Sequence, residues 1–422
     1  MLCPMRFIHS ADLHIDSPLR GLDHYPGAPV ERLRGATRQA FAALIDLALR
    51  EHVDFVLLAG DIYDGDWLDF RTGLFFREQL LRLQRAGIRT FIVHGNHDAA
   101  SQITRRLPRV EGVHTFSEHT PETVILKELG VAIHGRSFPN RAVTEDLVPT
   151  YPAAIPGLFN IGMLHTSLNG REGHDNYAPT TIDMLCSRGY DYFALGHVHA
   201  REVVREAHPR IVYPGNLQGR HARETGPKGC ELVTVEGGRI VASEFVPLDV
   251  VRWHVLTFDA TGIADIDELA HRFLMQARPL TARQPEILHA IRVHLHGESD
   301  LYRTESRQPG TLAASLQSAS QEADGFEIWI EQVHVQLRAP LARVELLQRM
   351  DAAGEVARVA NELSTDPEEL RKWFAEKAGT LRLPPALQHL AQLPDDELQT
   401  LLAEAEATVL AHLLQMGGDP SR

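Results

Sequence analysis

Residues 5–14 have the sequence MRFIHSADLH, a short apolar run followed directly by a carboxylate and an imidazole. The run from Arg6 to His9 has the length and composition of a buried β-strand, and Asp12 and His14 follow its carboxyl end. In open α/β sheets, binding sites form in the crevice beyond the carboxyl ends of the strands. The segment therefore predicts a sheet whose carboxyl edge carries ligand-type side chains.

The same pattern recurs four times further along the chain. Short apolar runs, rich in β-branched or aromatic residues, cover Val53–Ala59, Ile88–Val93, Asn160–Leu164 and Tyr190–Leu195. A metal-binding side chain follows each of them. The complete set of candidate ligands is Asp12, His14, Asp61, Asn96, His165, His197 and His199. One such motif alone is typical of an ordinary turn, but five in order, each behind a strand, predict two metal ions at one edge of the sheet.

The donor types indicate which metals and which chemistry to expect. Imidazole, carboxylate and amide ligands suit manganese, iron or zinc better than calcium, and the lack of cysteine in the set argues against a structural zinc site. Two divalent cations about 3.5–4 Å apart promote in-line displacement at phosphorus. We therefore expect two divalent metal ions, with manganese first, and a phosphate ester as substrate.

The ordered motifs resemble those of the calcineurin-like metallophosphoesterase superfamily. Within it, the chain is similar to DNA repair exonucleases of the YhaO type, which are relatives of the SbcCD nuclease subunit. The closer match rests on HSADLHIDSP at residues 9–18, YAP at 177–179, YPGN at 213–216, GRH at 219–221 and ETGPKGC at 224–230. The match covers residues 1–250, and beyond them it rests on architecture alone.

The resemblance implies a role for each candidate ligand. The first metal would take Asp12, His14 and His199, the second Asn96, His165 and His197, and Asp61 would bridge both. His97 would not be a ligand but would face the scissile phosphate and protonate the leaving oxygen, for which an imidazole is well suited.

Two aspartates near these motifs raise separate questions. Asp98 is expected to accept a hydrogen bond from the second ring nitrogen of His97 and so fix its tautomer, and the alternative is that it caps the following helix. Asp64 marks a departure, because the SbcCD-type nucleases carry a histidine three residues after the bridging aspartate. The sequence assigns no role to Asp64.

Length and composition are those of a large globular protein. A chain of 422 residues exceeds one usual core, so about two or three domains are expected. Cys3, Cys186 and Cys230 make no metal-binding spacing, which favours reduced thiols and a cytoplasmic location. No secretory signal and no apolar run long enough to cross a membrane is visible in the sequence.

The net charge opposes direct DNA binding. The chain has 42 Lys and Arg against 56 Asp and Glu, a formal sum of −14, which is the wrong sign for a protein that grips the phosphate backbone. Arginines after the third and fifth motifs could form a local basic rim or a solvated surface: Arg105, Arg106, Arg109, Arg201, Arg205, Arg210, Arg220 and Arg223. The simpler explanation is that much of the DNA affinity comes from a partner.

The pattern of apolar residues predicts an α/β protein in three parts. Residues 1–250 alternate strands with amphipathic helices such as Glu31–Arg50, and the resemblance implies that they form a metallophosphoesterase β-sandwich flanked by helices. Residues 251–340 read as strand, helix, strand, helix, strand, a small α+β domain. By resemblance, that domain caps the site and admits DNA. Residues 341–422 form a helical C-terminal region.

The last predicted helix carries an apolar stripe. Its members are Leu398, Leu401, Leu402, Ala405, Val409 and Leu413. The stripe could pack within its own domain, on a second copy of the chain as a homodimer, or on a partner. By resemblance to the SbcCD-type complexes, that partner would be a coiled-coil or AAA-type ATPase subunit.

Three functions are compatible with these patterns. The leading hypothesis is a two-metal DNA exonuclease or endonuclease that serves as the catalytic subunit of an ATPase-linked repair complex. The second is a phosphodiesterase for small nucleotides. The third is a non-catalytic adaptor for the ATPase, which the complete ligand set opposes, because a scaffold has no need for seven metal-binding side chains and His97.

Overall fold

The computed structural model describes residues 4–17, 28–64, 70–100, 109–169, 177–322, 325–340, 343–380 and 393–416. The chain divides into two compact units. One comprises Met1–His296 with Thr304–Gln336, and the other comprises Gly297–Arg303 with Leu337–Arg422. The division into three parts at residues 250 and 340 stays a prediction.

The described residues form fifteen strands and ten α-helices. The strands are β1 Met5–Ser10, β2 Phe55–Ala59, β3 Arg89–Val93, β4 Val113–Thr115, β5 Glu122–Leu126, β6 Val131–Gly135, β7 Phe159–His165, β8 Tyr192–Gly196, β9 Glu202–Arg205, β10 Arg210–Tyr213, β11 Gly229–Glu236, β12 Arg239–Pro247, β13 Val251–Asp259, β14 Leu288–Glu298 and β15 Glu327–Arg338. The helices are α1 Val30–Arg50, α2 Phe70–Arg85, α3 Ile182–Cys186, α4 Ile266–Thr281, α5 Leu301–Arg307, α6 Thr311–Gln321, α7 Arg343–Gln348, α8 Ala352–Thr365, α9 Pro367–Thr380 and α10 Asp395–Met416.

Two six-stranded sheets form a sandwich. Their strand orders are β12-β11-β1-β2-β3-β4 and β5-β6-β7-β8-β10-β9. Strands β1 to β4 are parallel to one another, and so are β6, β7, β8 and β10. The predicted α/β sandwich is confirmed.

The core of the sandwich lies between the sheets. Phe7 and Phe55 of the first sheet stack with ring centroids 5.1 Å apart, and Met163 and Tyr192 of the second sheet pack in the same cluster. All five residues of β2 are buried. Parallel strands that are covered on both faces need continuous apolar runs rather than alternation, which is why the sequence predicts these strands.

Helices α1 and α2 cover the outer face of the first sheet. Phe41 and Leu44 of α1 are fully buried and pack in one cluster with Phe76 of α2 and Val56 of β2. Burying a side chain of this size contributes about 1.5–3 kcal/mol. The periodic apolar face of α1 therefore fixes it on the sheet, at the position that the sequence predicts.

A three-stranded sheet, β13-β14-β15, carries the helices α4 and α6. Strands β13 and β14 are parallel and are joined through α4. Trp253 and Trp329 meet edge to face, with centroids 6.0 Å apart, and pack in one cluster with Leu33 of α1. The small sheet is thus anchored to the first helix of the sandwich.

In the second compact unit, the described residues from 343 onward form the helices α7 to α10. Leu410 of α10 packs with Leu346 and Ala357, and Leu398 packs with Leu363 and Leu370. Within the predicted stripe, Leu402 and Leu413 join these clusters, whereas Leu401 and Val409 stay 39% and 43% exposed. Among the described residues, no helix is both long and apolar enough for a membrane span.

Candidate metal centre

The predicted ligands follow the carboxyl ends of five strands from both sheets. Asp12 and His14 follow β1, Asp61 follows β2, Asn96 follows β3, His165 ends β7, and His197 and His199 follow β8. Contacts between the loops join the sheets at this edge. The backbone N–H of His197 donates to Asp12 Oδ2 at 3.0 Å, and the N–H of His97 donates to Asp61 Oδ1 at 2.9 Å.

Predicted ligands make up two of the three groups of metal-binding atoms in the described residues, and the third group is His14, Asp64 and His97. Asp12, His14 and His199 make the first group, and Asp61, His165 and His197 make the second, with the donor atoms of each group within 4.8 Å of one another. Asp61 Oδ2 lies 3.4 Å from His165 Nε2 and 3.9 Å from His14 Nε2, so it faces both groups. Asn96 Oδ1 lies 3.1 Å from His165 Nε2. The seven side chains thus converge, and their assignment as ligands stays a prediction.

Two ring nitrogens show that a cation fits this centre. His14 Nε2 and His199 Nε2 lie only 3.2 Å apart. The other ring nitrogen of His199, Nδ1, lies 2.7 Å from Glu224 Oε1 and donates to that carboxylate. A neutral His199 therefore presents a lone pair to His14. A cation between the rings would satisfy both nitrogens, together with the buried carboxylate of Asp12.

The backbone is strained at four of the predicted ligands. The φ angles of Asp12, His14, Asp61 and His197 are 51°, 43°, 52° and 104°. Side chains other than glycine rarely adopt this region, and each instance costs about 1–3 kcal/mol. Strain that is concentrated on the ligands, at the edge of an otherwise regular sheet, indicates that their direction serves a function.

Gly95 allows the third motif to approach the others. A Cβ atom there would lie 2.3 Å from Asp61 Oδ1 and 2.8 Å from the His165 ring. Any side chain at this position would push Asn96 and His97 away from the Asp61 carboxylate. The glycine is therefore needed for the contact between the second and third motifs.

Outer hydrogen bonds direct the ligand rings. His165 Nδ1 donates to the carbonyl oxygen of Ala59 at 2.9 Å, so Nε2 is left to face the centre. Glu224 holds His199 in the same way and also accepts from Asn216 Nδ2 at 2.9 Å. Sequence reasoning gave Glu224 no role. The only signal was its place in the quoted ETGPKGC stretch.

Burial and charge set the protonation of the metal-free centre. Burial lowers the pKa of His14 to about 3, so the ring is neutral and can offer a lone pair. Burial alone would also lower the pKa of His165, but the Asp61 carboxylate outweighs it and raises the pKa to about 9. Binding of a cation must therefore displace a proton from the His165–Asp61 pair.

His97 has a different carboxylate partner from the one predicted. Its Nδ1 lies 2.9 Å from Asp64 Oδ1, and its side chain is 36% exposed. The hydrogen bond to Asp64 raises the pKa of His97. Asp64, which the sequence left without a role, therefore faces the candidate proton donor.

Asp98 does not orient the His97 ring, and that prediction is wrong. Its buried carboxylate accepts the backbone N–H groups of Ile62, Tyr63 and Gly95 at 3.0–3.2 Å. The short 3-10 turn Asp98–Ala100 turns the side chain inward onto these donors. Asp98 thus ties the loop after β2 to the loop after β3.

Of the six arginines of the predicted basic rim that the structure describes, four contact acceptors within the chain. Arg201 Nε donates to Glu231 at 2.5 Å, Arg210 pairs with Glu206, and Arg205 donates to the His208 carbonyl oxygen. Arg220 lies at the centre itself, 3.3 Å from Glu224 and 3.6 Å from Asp64. Arg109 and Arg223 are exposed, whereas Arg105 and Arg106 lie outside the described residues.

Comparisons with known proteins agree with this architecture. The family model for calcineurin-like phosphoesterases matches residues 5–201, and the model for the middle domain of metallophosphoesterase YhaO matches residues 253–338. Residues 5–201 therefore match a calcineurin-like metallophosphoesterase domain.

Three individual relatives show which proteins the chain is similar to. YhaO of Bacillus subtilis (strain 168), an uncharacterized metallophosphoesterase, is 42% identical over 272 residues, which cover 64% of this chain and 66% of that protein. The DNA double-strand break repair protein Mre11 of Sulfurisphaera tokodaii is 26% identical over 53% of this chain and 60% of its own length. A subunit of the nuclease SbcCD from Staphylococcus epidermidis is 22% identical over 59% of this chain and 71% of its own length.

A solved structure, a dimetal phosphatase from Danio rerio, has a TM-score of 0.34 and 12% identity, over 58% of this chain and 97% of that one. The chain covers just under two thirds of the lengths of YhaO and of the Sulfurisphaera Mre11.

Proposed function

We propose that this chain is a metal-dependent DNA nuclease and the catalytic subunit of an ATPase-linked repair complex. The observation that carries the proposal is the pair of neighbouring donor groups, both faced by Asp61 Oδ2, with the partly exposed His97 beside them. The similarity to a DNA double-strand break repair protein, Mre11, and to a subunit of the nuclease SbcCD supports DNA as the substrate. YhaO, the relative with 42% identity, supports the phosphoesterase class only.

The buried and the exposed residues of the centre would have different roles. Asp12, Asp61 and His165 are buried and would hold two divalent cations, for which we propose manganese. The cations, when bound, supply electrophilic stabilisation of a phosphate ester. His97 reaches solvent and can contact a substrate. As the oxygen of a water molecule bonds to phosphorus and the P–O bond to the sugar breaks, His97 would give its proton to the departing sugar oxygen.

The test uses one protein and several esters. Linear, supercoiled and single-stranded DNA are incubated with metal-free protein to which manganese, magnesium or zinc has been returned, beside cyclic nucleotides as small diesters. Cleavage of DNA with manganese supports the proposal, whereas cleavage of the small esters alone contradicts it. His97→Ala should abolish DNA cleavage while two metal ions per chain remain bound. Retention of DNA cleavage in that variant would contradict its role.

A phosphodiesterase for small nucleotides is the second candidate. The observation that favours it is the net charge of −14 together with the countered arginines, because a small ester needs no extended basic surface.

The net charge of −14 also supports the need for an ATPase partner, which would supply much of the affinity for DNA. We propose that the chain alone binds duplex DNA weakly and with a shallow salt dependence. Fluorescence anisotropy with a labelled duplex between 50 and 200 mM salt measures both quantities. A loss of about 10³-fold or more in affinity over that range would indicate six or more phosphate contacts by the chain itself, and would contradict the need for a partner.

A further inference from the structure

We propose that a cavity beside helix α2, separate from the metal centre, binds a nucleoside that carries a phosphate monoester. This α2 cavity has a volume of about 410 Å³ and lies between α2, the turn after β2, strand β3, and strand β4 with its flanking loops. None of the seven predicted metal ligands lines it. Its size falls in the range of about 300–1,000 Å³ that is typical of small-molecule sites. The inference goes beyond the proposed function, because it assigns a ligand to a second site.

The buried part of the α2 cavity is apolar. Phe76 and Leu80 of α2 and Ile92 of β3 line it and are 6%, 5% and 3% exposed. The ring of Phe76 meets the ring of Tyr63 edge to face, with centroids 5.6 Å apart. Aromatic and apolar side chains are the usual surfaces on which proteins hold nucleobases. This part of the lining therefore suits a flat aromatic ring.

The outer part of the α2 cavity carries positive charge. Arg77 of α2 and Arg109, which precedes β4, both belong to the lining, and Arg109 is exposed. The Arg109 guanidinium makes no ion pair or hydrogen bond with any described residue. A phosphate monoester offers the paired oxygen acceptors that a guanidinium binds best. The open end of the cavity therefore suits a phosphate.

One acidic side chain lines the α2 cavity, and it is already engaged. Glu122 Oε2 accepts the backbone N–H of Ser117 at 3.1 Å and lies 3.1 Å from His114 Nε2. The lining thus holds two guanidinium groups against one carboxylate. This balance is opposite in sign to the net charge of −14 of the whole chain. A local excess of positive charge on an acidic protein favours an anion at this position.

The wall that the α2 cavity shares with the metal-bearing turns is fixed by the protein itself. The N–H groups of Ile62 and Tyr63, which both line the cavity, donate to the Asp98 carboxylate at 3.2 and 3.0 Å. His94, also in the lining, donates its N–H to Ser137 Oγ at 3.0 Å. A ligand therefore meets a wall that is already formed, which lowers the cost of binding it.

Two sources provide the same ligand chemistry. A free mononucleotide and the phosphorylated end of a DNA strand both present one base beside one phosphate monoester. The cavity has room for one such unit, so the test compares the two sources directly.

The test is isothermal titration calorimetry on metal-free protein, whose metal centre has no cation to hold a phosphate. The probes are deoxyadenosine 5′-monophosphate (dAMP), deoxyadenosine, inorganic phosphate and a 5′-phosphorylated tetranucleotide. We expect dAMP to bind at least about 10-fold more tightly than deoxyadenosine or inorganic phosphate, because each of these keeps only one of the two contacts. Absence of dAMP binding, or equally tight binding of inorganic phosphate, would overturn the proposal. With dAMP bound, binding of the tetranucleotide as well adds the strand end as a source, and its failure to bind leaves the free mononucleotide.

Arg109→Ala tests the phosphate contact. The affinity for dAMP should fall by about 10-fold, whereas the affinity for deoxyadenosine should not change. Because Arg109 is exposed, the variant is expected to fold. Arg141→Ala is the matched control, since Arg141 is also exposed but does not line the cavity, and both affinities should remain those of the wild type. Unchanged dAMP affinity in Arg109→Ala would overturn the assignment.

Methyl NMR spectra of the metal-free protein locate the ligand. Addition of dAMP should shift the methyl signals of Leu80 and Ile92 in the cavity lining. The signals of Val198, which lies between two predicted metal ligands, and of Val241, 56% exposed on β12, should not move. A shift at Val198 without a shift at Leu80 would place dAMP at the metal centre and overturn the proposal.

These results are independent of the proposed function. Binding of dAMP to metal-free protein involves no hydrolysis, so a chain that binds dAMP in the α2 cavity and cleaves no DNA retains this site and loses the nuclease assignment. A chain that cleaves DNA and does not bind dAMP retains the nuclease assignment and loses this site.

Discussion

The sandwich and the C-terminal helices use their apolar residues differently. Every residue of β2 is buried, and its carboxyl end delivers Asp61 into a strained turn between two groups of ligands. In α10, Leu398 and Leu410 are buried, but Leu401 and Val409 remain exposed. A strand that is buried on both faces is held in place, so the polar side chains that follow its end are held in place too. A helix that is buried along only a narrow line leaves some of its apolar side chains exposed to water.

The largest expected effect is at the metal edge. Asp61→Asn replaces the carboxylate that faces both groups by a neutral amide, so we expect fewer than two bound metal ions per chain. Activity on an activated phosphodiester should fall by about 10³-fold, because a carboxylate that bridges two cations would contribute several kcal/mol. Elemental analysis and initial rates measure the two effects.

Asp54→Asn is the matched control for that variant. Asp54 directly precedes β2 and accepts the N–H of Arg6 at 2.8 Å, at the opposite end of the strand. Metal content and activity should stay within about twofold of the wild type, since surface changes away from a site are nearly neutral. A loss of metal and activity in Asp54→Asn as large as that in Asp61→Asn would contradict a specific role for the carboxyl end of β2.

Within α10, the comparison rests on two leucines. Leu410→Ala should destabilise the helical unit by about 2–5 kcal/mol, because it opens a cavity beside Leu346 and Ala357. Leu401→Ala, at a position 39% exposed, should cost about 0.5 kcal/mol or less. Hydrogen exchange of the α8 and α10 amides measures both. Equal protection in the two variants would show that α10 does not pack as described.

The next largest effect is expected on stability, at a glycine beside the candidate metal centre. A Cβ atom at Gly196 would lie 1.9 Å from the carbonyl oxygen of Ala59, so backbone must move in Gly196→Ala. We expect a loss near the upper end of the roughly 1–3 kcal/mol range for overpacking, measured by urea unfolding. Gly237→Ala, in the hairpin between β11 and β12, meets no atom within 4 Å but has φ +55° and should cost about 1 kcal/mol.

The smallest effect concerns pH. Burial lowers the pKa of His9 to about 3, with Nε2 donating to the Leu195 carbonyl oxygen and Nδ1 accepting from the Tyr192 hydroxyl. Between about pH 3 and the unfolded value near 6.5, the unfolded chain binds the proton and the folded chain does not, so stability falls as the pH falls. Lowering the pH from 7.5 to 5.5 should cost about 1 kcal/mol through His9 alone.

Urea unfolding of metal-free protein at the two pH values checks this expectation. His9→Gln should reduce the pH dependence even though it also lowers stability. His119→Gln, at a side chain 81% exposed, should leave the dependence unchanged. An unaltered slope in His9→Gln would contradict a neutral, buried His9.

The sequence predicts the sandwich and the convergence of its polar loops because both follow from strand direction. The run before Asp61 and the run before His197 are apolar throughout, and parallel strands bring their carboxyl ends together. The hydrogen-bond partners of individual side chains are harder to predict from the sequence. Asp98 follows His97 directly in the sequence, yet its carboxylate accepts backbone N–H groups. Asp64, which is distant in the sequence, is the carboxylate that lies beside the His97 ring.

Side chains that act through another residue leave little trace in the sequence. Glu224 reaches His199 across a turn that only the folded chain defines. In α10, a spacing of 3.6 residues predicts an apolar face but not which part of that face is covered. Leu402 is packed and Leu401 is exposed, although both belong to the same stripe.

The Asp98 carboxylate has a consequence for how ions arrive. Because it accepts the N–H groups of Ile62, Tyr63 and Gly95, the protein's own hydrogen bonds hold the turns bearing Asp61 and Asn96 in register. Little chain entropy is then lost on capture of a cation, since that ordering was completed during folding. Loading of the apoprotein is expected to be governed by how fast the aqueous ion sheds its hydration shell.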